Sequence, residues 1–128
     1  MNIKDKIIQA CCKNPKYESC GFVIYDNDGF NIVECENKAE NKQEEFYIPA
    51  KDFLYAKKSY EIIAIYHSHP EGDESPSEFD KANCDSSCYP FLIFSNSNRK
   101  FNIIEPEYND ANPEYLKELK ERLDLWQR

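Results

Sequence analysis

The chain has 128 residues, with 16 Lys and Arg against 24 Asp and Glu, which gives a formal net charge of −8 at neutral pH. This length suits one compact domain, so we expect a single domain over residues 1–128. Hydrophobic residues make up 41% of the sequence, which excludes global disorder. The acidic balance and the lack of a Lys/Arg cluster argue against nucleic acid as a partner.

The sequence also argues against a membrane protein. Its longest uncharged apolar run covers residues 62–66, which is far too short to cross a bilayer. Residues 1–13 lack the apolar stretch of a signal peptide, so we expect a cytoplasmic location and no membrane partner. In that compartment the six cysteines are expected to be reduced thiols, and the absence of a Cys-x-x-Cys pair argues against a Cys₄ zinc ribbon.

The first half of the chain predicts a helix, a hairpin and a second helix. Apolar residues at helical spacing indicate a helix over residues 3–13. Strands over residues 17–25 and 30–35 flank an Asp-Asn-Asp-Gly turn and form the hairpin. After a polar loop, residues 46–48 are expected to form a short strand, and Pro49 leads into a helix of about ten residues.

The second half continues the alternation of strands and helices. Residues 61–66 are nearly all apolar, as in a central strand that is covered on both faces. A capping box that starts at Ser75 predicts a helix through about residue 85, and two more strands are expected over residues 91–95 and 101–104. Asn112 caps a last helix with one apolar stripe, formed by Leu116, Leu119, Leu123 and Trp126. This interleaving predicts an α/β or α+β layered domain.

The two histidines of the chain, His67 and His69, stand together after the buried strand. Side chains at i and i+2 of an extended backbone point to the same side, so both imidazoles can face one point. With a helix that starts at Ser75, Asp80 lies in its second turn and projects toward the strand end. Two imidazoles and one carboxylate are the ligand set of an open catalytic zinc site, whose fourth position is left for water. This pattern suits a Zn²⁺ site, and on spacing alone a structural role for the same residues stays equally open.

Such a site also needs a carboxylate that shuttles protons. Glu18, Glu71 and Glu74 are all candidates, and their spacing does not choose between them. Taken singly, each feature has a structural explanation too, since Ser77 suits a helix start and Asp80 suits a solvated helix position.

Taken together, the motifs resemble a known family. His67-Ser68-His69-Pro70, followed by Ser77-x-x-Asp80, matches the JAMM motif His-x-His-x₇-Ser-x-x-Asp position for position. Upstream, Glu18-Ser19-Cys20-Gly21-Phe22 is similar to the Glu-x-Cys-Gly-Phe segment of the JAMM (JAB/MPN+) zinc metallopeptidases. The resemblance implies a JAB/MPN-like (cytidine-deaminase-like) three-layer domain, with a mixed central sheet flanked by helices.

The resemblance also implies roles for individual residues. His67, His69 and Asp80 would bind one Zn²⁺ together with a water molecule. Glu18 would take the proton of that water and pass it to the leaving amine, and Ser77 would donate to the substrate carbonyl oxygen. The implied reaction is hydrolysis of a peptide or isopeptide bond in a protein substrate, commonly after the C-terminal tail of a ubiquitin-like protein.

Two branches of the family remain open. Asp80-x-x-x-Cys84 and Pro90 before an apolar strand resemble the JAB domain of lambda-type phage tail assembly proteins. Stand-alone bacterial deubiquitinase-like peptidases of ubiquitin-like pathways are the competing branch. The expected partners are accordingly phage tail or ubiquitin-like pathway proteins, in the cytoplasm of a bacterium or of a phage-infected host.

Rival functions follow from the same residues. One rival is a non-catalytic tail assembly or docking factor with a structural zinc. A zinc-dependent deaminase is disfavoured, because its Pro-Cys-x-x-Cys ligands are missing. Cys84 is expected to be a small buried residue rather than a neighbour of the zinc ligands. An acidic lip of Glu71, Asp73 and Glu74 that attracts a basic tail is a further hypothesis, and a solvated loop is favoured over it.

Overall fold

The computed structural model describes residues 1–125 and contains, within them, four helices and five strands. The helices are α1 (Ile3–Cys12), α2 (Ala50–Ser59), α3 (Glu78–Ser87) and α4 (Pro113–Arg122). The strands are β1 (Cys20–Asp26), β2 (Gly29–Cys35), β3 (Glu61–His69), β4 (Phe91–Ser95) and β5 (Lys100–Ile104).

The five strands form one mixed sheet in the order β2-β1-β3-β4-β5. All neighbouring pairs in this sheet are antiparallel except β3 and β4, which run parallel. Parallel neighbours need a crossover connection, and α3 supplies it. The first turn of α3 therefore lies near the C-terminal end of β3, where the chain leaves the sheet.

Helices cover both faces of the sheet, which confirms the expected three-layer architecture. One face packs against α1 and α4 through Ile7, Val23, Leu92, Leu116 and Leu119. The other face packs against α2 and α3 through Phe22, Ala56, Ile65, Cys84 and Phe91. In β3, Ile63 and Ala64 both pack in the first core, next to a register shift in the pairing with β1. From Ala64 onward, successive residues alternate between the two cores.

The structure corrects the predicted start of α3. The capping box is formed by Ser77 and Asp80 rather than by Ser75 and Glu78: the Ser77 hydroxyl accepts from the Asp80 amide at 3.0 Å, and the Asp80 carboxylate accepts from the Ser77 amide at 3.0 Å. The third helical position holds Asp instead of the usual Glu or Gln. Asp80 consequently lies in the first turn of α3 and not in the second.

Three strand predictions were also wrong, one in the existence of the strand and two in its extent. Residues 46–48 form no strand, because the Tyr47 carbonyl bonds to the nearby Lys38 amide instead of to a strand of the sheet. β1 begins at Cys20 and not at Tyr17, because the Glu18 amide bonds to the Lys42 carbonyl in the loop after β2. In the opposite direction, β3 continues through His69, three residues beyond its predicted end.

The last helix and its apolar stripe lie only partly within the described residues. Asn112 caps α4 by accepting from the Glu114 and Tyr115 amides, as predicted. Leu116, Leu119 and Leu123 are buried, whereas Trp126 lies outside the residues that the structure describes.

Over residues 1–125, no helix is both long and apolar enough to cross a membrane. The six cysteines are free.

Gly21 permits a close approach between β1 and its neighbours. A Cβ atom at this position would lie 2.6 Å from Cε2 and 2.7 Å from the hydroxyl oxygen of Tyr66, and closer still to the Val33 carbonyl oxygen. Tyr66 is fully buried, so its ring has little room to move. Only a residue without a side chain fits between β2 and the Tyr66 ring.

We predict that Gly21→Ala destabilises the protein by about 3 kcal/mol, because the added methyl group overpacks a rigid site. Gly29→Ala is the matched control: Gly29 has open space around its Cα but a φ of 99°, so only backbone strain of about 1 kcal/mol is expected. Chemical denaturation measures both values. Equal stability of Gly21→Ala and the parent protein would contradict the packing described here.

Candidate metal centre

The two histidines occupy the C-terminal end of β3, just before the chain crosses over. His67 and His69 are alternate residues of β3, so their rings lie on one side of the strand, with centroids 5.2 Å apart. The His67 ring is fully buried, stacked on Phe46 at 4.4 Å and met edge-on by Phe91 at 5.6 Å. These aromatic contacts hold the imidazole in one orientation.

Asp80 reaches both imidazoles from the first turn of α3. Its Oδ1 lies 3.1 Å from His67 Nε2, and its Oδ2 lies 3.1 Å from His69 Nε2. One ligand atom from each of the three residues lies within 4.8 Å of the others. Ligands about 2.0–2.1 Å from a tetrahedral ion are separated by about 3.3 Å, so the spacing fits a group that can bind one metal ion.

The hydrogen bonding of His69 supports this assignment. Its Nδ1 lies 2.9 Å from the Asp73 carbonyl oxygen, which can only accept, so Nδ1 carries the proton. In a neutral ring, Nε2 then presents a lone pair to a carboxylate oxygen that is also an acceptor. Two acceptors at this distance require a cation between them or an added proton. A backbone carbonyl that fixes the tautomer in this way is the usual support of a metal-ligating imidazole.

His67 gives a second indication. Among the described residues, neither ring nitrogen of this fully buried side chain has a hydrogen-bond partner, because Nε2 approaches Asp80 without the alignment of a hydrogen bond. Leaving a buried polar atom without a partner costs about 1–3 kcal/mol. A metal ion bound by Nε2 would satisfy one of these two atoms.

The pKa shifts describe the charge state of the group without an ion. Burial lowers the pKa of His67 and outweighs the Asp80 carboxylate, which favours the neutral form that metals require. Burial lowers the pKa of His69 as well, but hydrogen bonds to Asp80 and to the Asp73 carbonyl outweigh this effect and raise the pKa overall. Burial alone would raise the pKa of Asp80, yet the two imidazoles and the Ser77 amide hold that pKa well below its usual range.

Glu18 lies beside this group, just before β1. A cleft of about 660 Å³ is lined by Glu18, His69, Glu71 and Ser77 among other residues. Glu18 is buried, since only 6% of its surface is exposed. Burial raises the pKa of Glu18 to about 8, against the lowering effect of His69. Its carboxyl group can therefore exchange a proton near neutral pH.

Ser77 has two possible uses in this arrangement. Its Oγ accepts from the Asp80 amide, and its own hydroxyl hydrogen remains available to a second acceptor. Ser77 is exposed at the rim of the cleft. The structure thus places it where it can cap α3 and donate into the cleft at once.

The other carboxylates from the sequence analysis differ in their surroundings. Glu71 lines the cleft and is exposed. The Glu74 carboxylate accepts from Asn98 Nδ2 at 3.2 Å, and the Glu74 carbonyl accepts from Asn102 Nδ2 at 3.1 Å, which ties Glu74 toward β5. The Cys84 thiol donates to the Tyr89 carbonyl at 3.4 Å and packs in the core beneath α2 and α3. Of the three candidate glutamates, only Glu18 is buried.

Sequence reasoning missed two residues that support the group. Phe46 was expected in a strand, whereas it stacks on His67 from an irregular segment. The Asp73 carbonyl that fixes the His69 tautomer is a backbone atom, which no side-chain motif can indicate. An apolar groove of about 790 Å³ lies next to the group, and Phe46 and Phe91 separate it from His67.

Comparison with known proteins gives consistent results. Residues 2–106 match the model of the prokaryotic homologs of the JAB domain. The tail tip assembly protein K of Escherichia phage N15 is 33% identical over 97 residues, which cover 76% of this chain and 40% of that protein. The chain thus spans less than half of the length of this curated relative.

A solved structure shares the fold. This protein of Desulfitobacterium hafniense, determined in solution, superposes with a TM-score of 0.62 at 18% identity, and the match covers 87% of this chain and 92% of the other. A protein of Salinibacter ruber superposes with a TM-score of 0.45 at 15% identity, over 88% and 89% of the two chains.

We predict that Asp80→Asn lowers the affinity for Zn²⁺ by at least about 100-fold, which exceeds the effect of altering a supporting residue. The side-chain carbonyl oxygen of the introduced asparagine can still accept from the Ser77 amide, so the cap of α3 is retained. Asp85→Asn, an exposed position on the same helix, serves as the control for the charge. Competition with a chromophoric chelator measures the affinities, and equal values for the two variants would contradict the assignment.

Proposed function

Because the chain belongs to the family of the prokaryotic homologs of the JAB domain, we propose that it is a zinc metallopeptidase that hydrolyses a peptide or isopeptide bond. The observation that carries the proposal is the convergence of His67, His69 and Asp80 at the edge of a cleft that Glu18 and Ser77 also line. This combination supplies a metal-binding group, a proton carrier and a hydrogen-bond donor around one space. We further propose that residues 1–128 form a single domain of this type.

His67, His69 and Asp80 would hold the zinc ion. Their donor set of two imidazoles and one carboxylate is typical of catalytic zinc, which keeps one position open. The chemistry that such an ion supplies is Lewis-acid activation of water at neutral pH. The Asp73 carbonyl keeps His69 in the ligating tautomer, and the ring of Phe46 shields His67 from solvent.

Glu18 would act as the general base and then as the general acid. Its carboxylate would take a proton from the attacking water and deliver the proton to the leaving amine nitrogen. Burial raises the pKa of Glu18 to about 8. A carboxylate with a pKa near the working pH is basic enough to take the proton, and the resulting acid is strong enough to give it up again.

Ser77 would stabilise the negative charge that develops on the substrate carbonyl oxygen. The hydroxyl is oriented by the Asp80 amide, which uses one Oγ lone pair and leaves the hydrogen free to donate. A donor that is fixed before the reaction needs no reorganisation when the tetrahedral intermediate forms.

The relative from phage N15 suggests the biological setting. Since that protein is named for tail tip assembly, we propose that the substrate is a protein of phage tail assembly and that the reaction takes place in the host cytoplasm. This setting is favoured over a ubiquitin-like pathway. An apolar side chain of the substrate would enter the groove lined by Phe46, Phe53 and Phe91.

Glu18→Gln provides the main test. The variant keeps the shape of the side chain but cannot carry the proton, so we expect unchanged zinc content and a loss of turnover of about 10²–10⁴-fold. The assay is mass spectrometry of a library of linear and branched peptides, incubated with zinc-loaded protein, with and without chelator. Glu71→Gln, on the exposed side of the cleft, is the matched control and should retain turnover.

The outcomes separate the two functions. Cleavage that needs both zinc and Glu18 supports the peptidase. The opposite outcome has two parts: the parent protein and Glu18→Gln bind equal amounts of zinc, and tails assemble normally when Glu18→Gln replaces the parent protein. This outcome would contradict the peptidase and favour a non-catalytic assembly factor.

Ser77→Gly separates the cap of α3 from catalysis. Gly is a tolerated N-cap, so the loss of stability should be a few tenths of a kcal/mol. Loss of the donor should lower kcat by about 10²–10³-fold. Ser77→Thr keeps the hydroxyl and should remain close to the parent enzyme. Equal kcat for the Gly and Thr variants, measured on a cleaved library peptide, would exclude Ser77 from the reaction.

A further inference from the structure

We infer that Asn37 and Ser68 are positioning residues that hold the backbone of Glu18 and thereby aim its carboxyl group. The inference rests on the proposed function of Glu18. Neither residue lines the cleft. Asn37 forms a hydrogen bond to the backbone of Glu18, and Ser68 forms hydrogen bonds to the backbone of Ser19.

Four hydrogen bonds fix these two peptide units. The Glu18 amide donates to the Lys42 carbonyl at 2.7 Å, and the Glu18 carbonyl accepts from Asn37 Nδ2 at 2.9 Å. The Ser19 amide donates to Ser68 Oγ at 2.8 Å, and the Ser19 carbonyl accepts from the Ser68 amide at 3.0 Å. Since β1 begins only at Cys20, these bonds take the place of a regular strand ladder.

The side-chain amide of Asn37 makes all four hydrogen bonds that its two N–H donors and the two lone pairs of its oxygen allow. Its Nδ2 donates to the carbonyls of Glu18 and Glu45, both at 2.9 Å. Its Oδ1 accepts from the amides of Ala39 and Tyr47, at 2.9 and 3.1 Å. The residue is buried. One side chain therefore joins Glu18 to both ends of the irregular segment that carries Phe46.

Ser68 joins Glu18 to the metal-binding strand. It lies between His67 and His69, and because neighbours in a strand alternate sides, its hydroxyl points away from their imidazoles. Ser68 is fully buried. The strand that positions two metal-binding side chains thus also fixes the peptide unit next to Glu18, which sets the distance between the base and the metal group.

Accurate placement matters for such a base. A displacement of about 1 Å at a reacting group can cost about 100-fold in rate. The Glu18 carboxyl group lies two methylene groups away from the Cα atom, so a small rotation of the backbone moves the carboxyl group much farther than the Cα atom. The bonds from Asn37 and Ser68 restrict that rotation.

Asn37→Asp is the sharpest variant. It has the same shape and keeps the two acceptor bonds, but it cannot donate to the carbonyls of Glu18 and Glu45. Asn109→Asp is the matched control, since Asn109 is exposed and its Oδ1 only accepts from the Ala111 amide. Ser68→Ala removes the second anchor independently.

The first readout is amide hydrogen exchange by NMR on the metal-free full chain. We expect exchange of the Glu18 amide to accelerate at least about tenfold in Asn37→Asp, and that of the Ser19 amide in Ser68→Ala, because exchange follows local opening. The Ile65 amide of β3, which donates to the Pro90 carbonyl just before β4, should keep its protection. Unchanged exchange at Glu18 and Ser19 would overturn the inference.

The second readout uses Co²⁺ in place of zinc, together with turnover of a cleaved library peptide. Because Glu18 lies beside the metal group, we expect Glu18→Gln to shift the visible absorption bands of bound Co²⁺. Both variants should bind one Co²⁺ and shift these bands in the same direction. Both should also lose about 10–100-fold in kcat with little change in KM. In a Glu18→Gln background, neither substitution should lower kcat further. An additional loss in that background would indicate a general structural role and overturn the inference.

These outcomes distinguish the inference from its premise. If Glu18→Gln leaves both spectrum and turnover unchanged, the proposed function fails. If Glu18→Gln changes them and Asn37→Asp and Ser68→Ala do not, the positioning role fails alone. Loss of the fold in both variants would assign the two residues to stability and would also overturn the inference.

Discussion

The site is built around the Asp80 carboxylate, which joins the start of α3 to the two imidazoles of β3. It closes the capping box of α3 by accepting from the Ser77 amide, and the same group lies 3.1 Å from both imidazoles of β3. The parallel pairing of β3 with β4 forces a crossover whose helix starts at the end of β3. The N-terminus of a helix favours a negative charge. Topology and helix electrostatics therefore place an anion opposite two histidines.

This arrangement is costly for a protein that binds no ion. A fully buried imidazole without hydrogen-bond partners and a buried carboxylate both favour solvent over the interior. Aromatic rings and short backbone bonds nevertheless hold these groups in fixed positions. Polar groups that stay buried and close together in this way are characteristic of functional sites, and a divalent cation would offset the cost.

Sequence patterns predicted the parts of this site that follow local rules. The i and i+2 spacing placed His67 and His69 on one side of an extended strand, and the order of helices and strands predicted a layered α+β fold. The start of α3 was missed by two residues, because Asp80 takes the position that a Glu or Gln usually holds in a capping box. Residues 46–48 have the composition of a strand, but bonds to the loop around Asn37 override that preference.

The remaining features depend on contacts that are distant in sequence. Composition left three glutamates as candidate proton carriers, and burial in the folded chain distinguishes Glu18 from Glu71 and Glu74. The hydrogen bonds of Asn37 and Ser68 to Glu18 and Ser19 span 19 and 49 residues. No periodicity connects positions so far apart. The supporting bonds of the site emerge only from the folded chain.

X-ray absorption at the zinc edge of the zinc-loaded protein shows which atoms bind the ion. We expect one ion with two imidazole nitrogens and oxygen ligands at about 2.0–2.2 Å and no sulfur neighbour. A zinc–sulfur distance of about 2.3 Å would place the metal on one of the six cysteines instead. That result, or a protein that retains no zinc, would contradict the assignment of the zinc ion to His67, His69 and Asp80.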